Sequence, residues 1–375
     1  MLLSLCGLSG FASAQESASC TANERVMVID AGSTGTRLHV YAYDATTKPV
    51  TINECYVKKI TPGLAKINEN ATAVEAYLEE LFQQVPAQHM PVYFYATGGM
   101  RLRTPAAQDY YYQLIQAWFA QHPQWAVHDV RTISGQEEGL FDWLALNKQL
   151  NRLENADRPL VNVMDLGGAS VQMVFPVESN EYVPASDAIT IELPGRSVKL
   201  FDHSYLGLGM MSIEQRFQGL SACATPHTPL ADGRVDEASP QQCADAMVAN
   251  LHQTQEFSDL MPQTHAGMQE KPWYMLGAVA QMATHAPFFF PQKVITADEL
   301  LEQAKTLVCQ TPLMDEHNAQ DCLTAAYYEA LTSEALGWSP SHTMHLMPDE
   351  ASTDWTLGVV VRQVLSPVLV NVPSY

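Results

Sequence analysis

The chain is short of positive charge. Twenty Lys and Arg stand against 41 Asp and Glu, a formal net charge of −21, so it lacks the broad basic surface that nucleic acid or an anionic membrane requires. Long apolar runs are missing too. The stretch WYMLGAVAQMATHAPFFFP is broken by Gln281, His285 and Pro287, and WTLGVVVRQVLSPVLV carries Arg362 and Pro367. Both read as core elements, and no membrane span is expected. No C-x-x-C pair is present, which removes the usual structural zinc site. Nor is there a G-x-S-x-G elbow, a Walker A sequence or an H-E-x-x-H, so serine-hydrolase, P-loop and zincin chemistry lose their usual supports. If the substrate is anionic, a local cluster of cations or a metal must overcome the field of the whole protein.

What is present fits a globular chain of 375 residues, 47% apolar, long enough for two lobes with separate cores. The start, MLLSLCGLSGFASAQ, has an apolar run followed by Ala12-Ser13-Ala14. It reads as a secretory signal over residues 1–14, and implies an exported protein, periplasmic or secreted. Six cysteines remain after it. Their proximity in sequence predicts the pairs Cys20–Cys55, Cys223–Cys243 and Cys309–Cys322, one of fifteen possible connectivities.

Two segments share one plan. VMVIDAGSTGTRLHVYAY (26–43) and VNVMDLGGASVQMVF (161–175) each run as an alternating strand that ends in Asp, a turn of small residues, and a second alternating strand. Asp30 matches Asp165 and Gly32 matches Gly167, which predicts two related lobes facing each other. Between the hairpins, apolar spacing predicts helices over 71–85 and 106–122, a strand over 91–99 and a turn entering a helix over 135–150. That order is α/β in each half. Residues 177–270 say less; a Pro-, His- and acid-rich loop from about 224 to 242, flanked by cysteines, reads as a stapled surface excursion.

Glycine-rich turns suit phosphate. Their N–H groups converge on an anion and small residues admit it to the main chain. Ser33, Thr34 and Thr36 add hydroxyls around Gly35, and Gly167, Gly168, Ala169 and Ser170 offer the same in the second turn. Two such turns across a cleft would hold a di- or triphosphate from both sides. An aspartate ending each strand, Asp30 and Asp165, suits a hydrated divalent cation, which binds through one or two carboxylates plus phosphate. Arg37, Arg101 and Arg103 lie nearby, as phosphate ligands or as surface charges. Hydrolysis further needs a carboxylate to orient water, and Glu137 and Glu138 stand between the hairpins. Paired acids at a helix start are also ordinary partners of the helix dipole.

Together DAGSTGTR (30–37), ATGGMR (96–101), GQEEGLFDW (135–143), DLGGASVQ (165–172) and DWTLG (354–358) resemble, in that order, the conserved regions of the apyrase or ecto-nucleoside triphosphate diphosphohydrolase family. TPGLA (61–65) and HSYLGLG (203–209) also resemble family segments. The resemblance implies an actin/Hsp70/hexokinase-like fold of two ribonuclease-H-like lobes with the active site in the interlobe cleft. The expected division is 20–140 for the N-terminal lobe, 141–351 for the C-terminal lobe and 352–375 returning to the first. It implies hydrolysis of nucleoside tri- and diphosphates to the monophosphate, dependent on Mg²⁺ or Ca²⁺, by an exported soluble bacterial member acting as a monomer.

Carried onto this sequence, the resemblance makes Glu138 the general base, with Ser170 and Gln172 placing the water. Ser33, Thr34, Gly35, Gly168 and Ala169 would bind phosphate, with Thr97 and Arg101 beside them and Asp30 and Asp165 organising the metal. Trp355 and Asn147 would sit near the cleft. The chain has Gly98-Gly99 where many relatives have Ala-Gly, which would loosen that turn. Tyr327, Tyr328, Trp338 or Phe288–Phe290 would either stack on a purine or belong to the core. Two other readings keep a place. One is an exopolyphosphatase or sugar kinase of the same superfamily; the other is an actin- or Hsp70-like interaction protein whose lobes close on nucleotide.

Overall fold

The first hairpin forms where alternating residues flank the glycine turn. In the computed structural model, which describes residues 20, 24–85, 90–178, 180–217, 223, 240–251, 272–309, 316–347, 354–365 and 368–370, β1 (Glu24–Ala31) pairs antiparallel with β2 (Thr36–Asp44). In turn β2 pairs with β3 (Thr51–Ile60). On the other side β4 (Pro91–Ala96) and β5 (Ala126–Thr132) add in parallel, giving the order β3-β2-β1-β4-β5. Helices α1 (Ala71–Phe82) and α3 (Pro105–Gln121) pack on each other, and a single turn, α2 (Gly98–Arg101), follows β4. Asn70 caps α1 and Thr104 caps α3, each accepting a backbone N–H at the third helical residue. Tyr77, Leu81, Tyr111 and Trp118 form this lobe's outer core with Met27, Ile29 and Phe94 of the sheet.

Helix α4 (Gly135–Gln149) crosses to the second lobe. Ser134 and Glu137 close a capping box at its start, and its length packs on β6 (Asn162–Leu166), β7 (Ser170–Val177) and β9 (Arg196–Leu206). These strands, with β10 (Trp273–Leu276) and β12 (Met344–His345), repeat the first sheet: β9-β7-β6-β10-β12, with the same sequence of antiparallel and parallel pairings. The repeated plan in sequence is therefore a repeated plan in topology. Beyond this shared set, β11 (Val294–Ile295) extends one edge, and β8 (Ala188–Leu193) and β13 (Val368–Val370) extend the other. Helices α5 (Met210–Phe217), α6 (Pro240–Leu251), α7 (Gly277–Thr284), α8 (Ala297–Leu307) and α9 (Glu316–Glu329) belong to this lobe.

Two expected boundaries need correction. A division between 140 and 141 would cut α4, which is continuous and packs on the second sheet, so the second lobe begins at Gly135. The C-terminal part divides: α10 (Trp355–Leu365) lies against β1, β2 and α4, but β13 pairs with β8 of the second sheet, satisfying backbone groups that an edge strand leaves open. Gly358 brings α10 onto the backbone of Phe141 in α4, where a Cβ would collide with its carbonyl.

The three predicted disulfides form, Cys20–Cys55, Cys223–Cys243 and Cys309–Cys322, the cysteine use of an oxidising compartment. Among the described residues no helix is long and apolar enough to cross a membrane. The predicted signal segment and residues 224–239 of the predicted loop lie outside the described residues; α6 begins at Pro240, within its last three positions.

Candidate active site

Both glycine turns converge on one cavity of about 720 Å³ between the lobes. The first contributes Asp30, Gly32, Ser33, Thr34 and Arg37, the second Asp165, Gly167 and Gly168, and Thr97, Glu138 and Trp355 complete this part of the lining. The two turns touch. A Cβ on Gly168 would collide with the Ser33 hydroxyl, and one on Gly98 would lie 2.8 Å from the Ala169 methyl. Gly98 thus makes room for the opposite turn, while a Cβ on Gly99 would lie 2.9 Å from Ser33 Cα. The ATGGM turn is packed where the lobes meet, contrary to the looseness expected of two glycines.

Glu138 projects from the first turn of α4 and is held by two side chains, Arg101 and Gln172. Arg101 forms an ion pair with it, Gln172 Nε2 donates to Glu138 Oε2 at 3.2 Å, and Gln172 Nε2 also reaches Ser170 Oγ at 2.8 Å. Arg101 donates in addition to Ser170 Oγ at 3.2 Å. Ser170 and Gln172 alternate on β7, so both point to the same face. Burial pushes the Glu138 carboxyl above its ordinary value against the pull of Arg101.

Acid is concentrated here. Asp30 is pushed up to about 7 by burial and by Asp354, with Arg37 at 3.2 Å opposing. Asp165 is pushed up to about 8 by burial and then by Glu138, Asp354 and Asp30. The lining also contains Asp142, His39 and Glu54, to which the sequence reading assigned no role. Burial disfavours a charge on His39, yet Asp354, Glu54 and Asp30 carry its pKa above the ordinary 6.5. Its Nδ1 is 2.6 Å from Glu54 Oε1 and its Nε2 3.7 Å from Asp354 Oδ2. A signal existed for His39: it stands two residues from Arg37 on β2 and so shares its face. Asp354 opens the DWTLG segment already singled out.

Other expected residues are placed elsewhere. Asn147 is fully buried away from the cavity; its amide donates to the Trp143 carbonyl at 3.0 Å and accepts from Val161 N–H at 3.0 Å. It ties α4 to the strand that follows, because a helix end buried beside a strand start needs a polar bracket. Gly35 packs against the end of β3, where a Cβ would lie 2.8 Å from the Ile60 carbonyl oxygen, and Ala169 against Gly98. Tyr327, Tyr328, Trp338, Phe288 and Phe290 are core residues, and Tyr327 spends its hydroxyl on the Leu208 carbonyl at 2.7 Å. Phe289 is exposed and lines a separate groove. Trp355, by contrast, lines the cavity as expected, and it stacks between Tyr95 and Phe141, ring centroids 6.4 and 6.3 Å away, which fixes the start of α10.

The sequence profile of the GDA1/CD39 (nucleoside phosphatase) family matches residues 17–273. The chain belongs to that family. Among curated relatives, it is 30% identical to probable apyrase 2 of Oryza sativa, over 51% of this chain and 45% of the rice protein. It is 25% identical to probable apyrase 3 of Arabidopsis thaliana, over 91% of this chain and 82% of that one. The chain thus spans less than half of the rice relative. Among solved structures, a nucleoside triphosphate hydrolase of Neospora caninum aligns over 92% of both chains with a TM-score of 0.58 and 17% identity. That likeness concerns the fold alone, and the GDA1/CD39 chain described here shares it: two ribonuclease-H-like lobes in the actin and Hsp70 manner.

Proposed function

We propose that this GDA1/CD39 protein is an exported apyrase that hydrolyses nucleoside tri- and diphosphates to the monophosphate and phosphate. The observation that carries the reading is the position of Glu138, a buried carboxylate between two glycine turns, bonded to Arg101 and Gln172. Backbone N–H groups of the turns, with Ser33, Thr34, Thr97, Arg37 and Arg101, bind the phosphate chain. Ser170 and Gln172 hold a water in line with the terminal phosphorus. Glu138 takes that water's proton as its oxygen bonds to phosphorus and the anhydride P–O bond breaks, releasing the shortened nucleotide. A carboxyl with a raised pKa is suited to accept a proton near neutral pH.

A divalent cation fits the residues present. Asp30 Oδ1 is buried with no hydrogen-bond partner among the described residues, and burial pushes both strand-end aspartates toward the neutral form. Asp30 and Asp165 would hold Mg²⁺ or Ca²⁺, mainly through water, and the ion would neutralise charge on the phosphates.

The test is phosphate release from ATP, ADP, GTP, GDP, UTP and polyphosphate, with and without chelator. Chelator-sensitive release from nucleoside di- and triphosphates is expected. Release from polyphosphate alone would replace this reading by an exopolyphosphatase, and no release from any of them would end it.

A further inference from the structure

One acid on the cleft floor has no part in the reaction as described. Asp142 follows Glu138 by four residues on α4, so the two side chains lie on one helix face, and both line the cavity. Asp142 is only 2% exposed, yet its Oδ2 has no hydrogen-bond partner among the described residues; Asp30, 4% exposed, leaves Oδ1 in the same condition. Such oxygens are costly in an interior unless a ligand satisfies them. Arg37 pairs with Asp30 and Arg101 with Glu138. Among the described residues, no Lys, Arg or His forms an ion pair with Asp142 or Asp165. Asp142 and Asp165 line the same cavity and share this deficit; burial, and then the charge of Asp165, pushes the Asp142 carboxyl well above its ordinary value.

We propose that Asp142 is a third carboxylate of the divalent-cation site, working with Asp30 and Asp165. The inference rests on the cation reading given above for those two residues. Among the described residues no three His, Cys, Asp or Glu side chains converge closely enough to hold a metal unaided. Asp142 therefore accepts hydrogen bonds from water on the cation rather than touching the ion, an arrangement suited to ions that keep several waters. A site with two carboxylates leans on substrate phosphates for the rest of its charge. A third lets the cation bind before the nucleotide arrives.

The experiment is calorimetric titration of Ca²⁺ alone, without nucleotide, into the full chain and into Asp142→Asn and Asp142→Ala, with melting temperatures taken in chelator and in Ca²⁺. Wild-type protein is expected to bind, and both variants to bind about 10–100-fold more weakly. Their melting temperatures in chelator should be no lower than wild type's, and the rise on adding Ca²⁺ should shrink. Unchanged affinity in either folded variant overturns the proposal, as does absence of Ca²⁺ binding by wild type. A variant that melts lower in chelator also overturns it, since Asp142 would then support the fold without a cation. Phosphate release on the same samples separates the two ideas. Release by a wild type whose Ca²⁺ affinity is independent of Asp142 refutes the role of Asp142 alone; absence of release refutes the hydrolase reading.

Discussion

The two hairpins have the same backbone and different charge balance. In each, the strand-end aspartate faces the residue seven positions later: Asp30 opposite Arg37, Asp165 opposite Gln172. In the first lobe that partner is a cation, and it pairs with the aspartate at 3.2 Å. In the second lobe it is an amide, and it turns to Ser170 and Glu138. Register is shared, so the difference lies in one side chain. The first hairpin offsets the charge of its acid with its own cross-strand cation. The second leaves its acid uncompensated and spends its cross-strand partner on the group that would handle water. Duplication of a hairpin thus gives two tools, distinguished at the position opposite the acid.

The sharpest break of this comparison is Glu138→Gln. It should lower kcat for phosphate release by about 10²–10⁴-fold while the melting temperature is maintained, and near wild-type turnover would remove Glu138 as the base. Next is Gln172→Ala, expected to lower kcat by about 10–100-fold with KM little changed, because it withdraws support from Glu138 and Ser170 rather than a phosphate contact. On the first hairpin, Arg37→Gln should do the reverse. It should raise KM by about tenfold with kcat within about twofold; equal losses in kcat from both hairpins would erase the division of labour.

The smallest effect concerns charge stored in the second lobe away from the cavity. Asp202 on β9 is fully buried, neither carboxyl oxygen has a hydrogen-bond partner among the described residues, and burial, then Asp187, push its pKa well above 3.8. A carboxyl raised in the folded state adds stability below its unfolded pKa, and that contribution fades as pH rises and the unfolded chain ionises. Asp202→Asn should therefore raise the melting temperature at pH 7–8 by about 2–4 °C and leave it unchanged near pH 3. An equal shift at both pH values would assign the gain to packing instead.

Much of the fold was legible because it rests on periodicity. The hairpins, α1, α3 and α4 follow alternation, helical spacing and capping residues. The β8–β9 hairpin carries its own signal, AITIEL and RSVKLF alternating around Pro194-Gly195, where Gly195 takes a φ of +80°, but the Pro-, His- and acid-rich loop downstream is the stronger local signal in sequence. Within the site, residues in the glycine turns could be found because turn chemistry is local. Asp142 could not, since an acid about two turns into a helix reads as surface until the cleft is seen to face it. Asn147 was misassigned for the opposite reason. Its nearness to Glu138 in sequence says little, because nine residues along a helix is two and a half turns.

The continuity of α4 across the expected lobe boundary decides which parts of the catalytic apparatus share a frame of reference. Glu138, Ser170 and Gln172 all stand on elements packed into the second sheet, whereas Asp30, Ser33 and Thr34 stand on the first. With the proposed roles, rotation of one lobe against the other would leave Glu138, Ser170 and Gln172 aligned with one another and change their separation from the first hairpin and from Arg101, which α2 of the first lobe brings to Glu138 and Ser170. The angle between the lobes would then act as a focusing adjustment, setting the distance between the proposed hydrolytic group and the phosphate it is to strike.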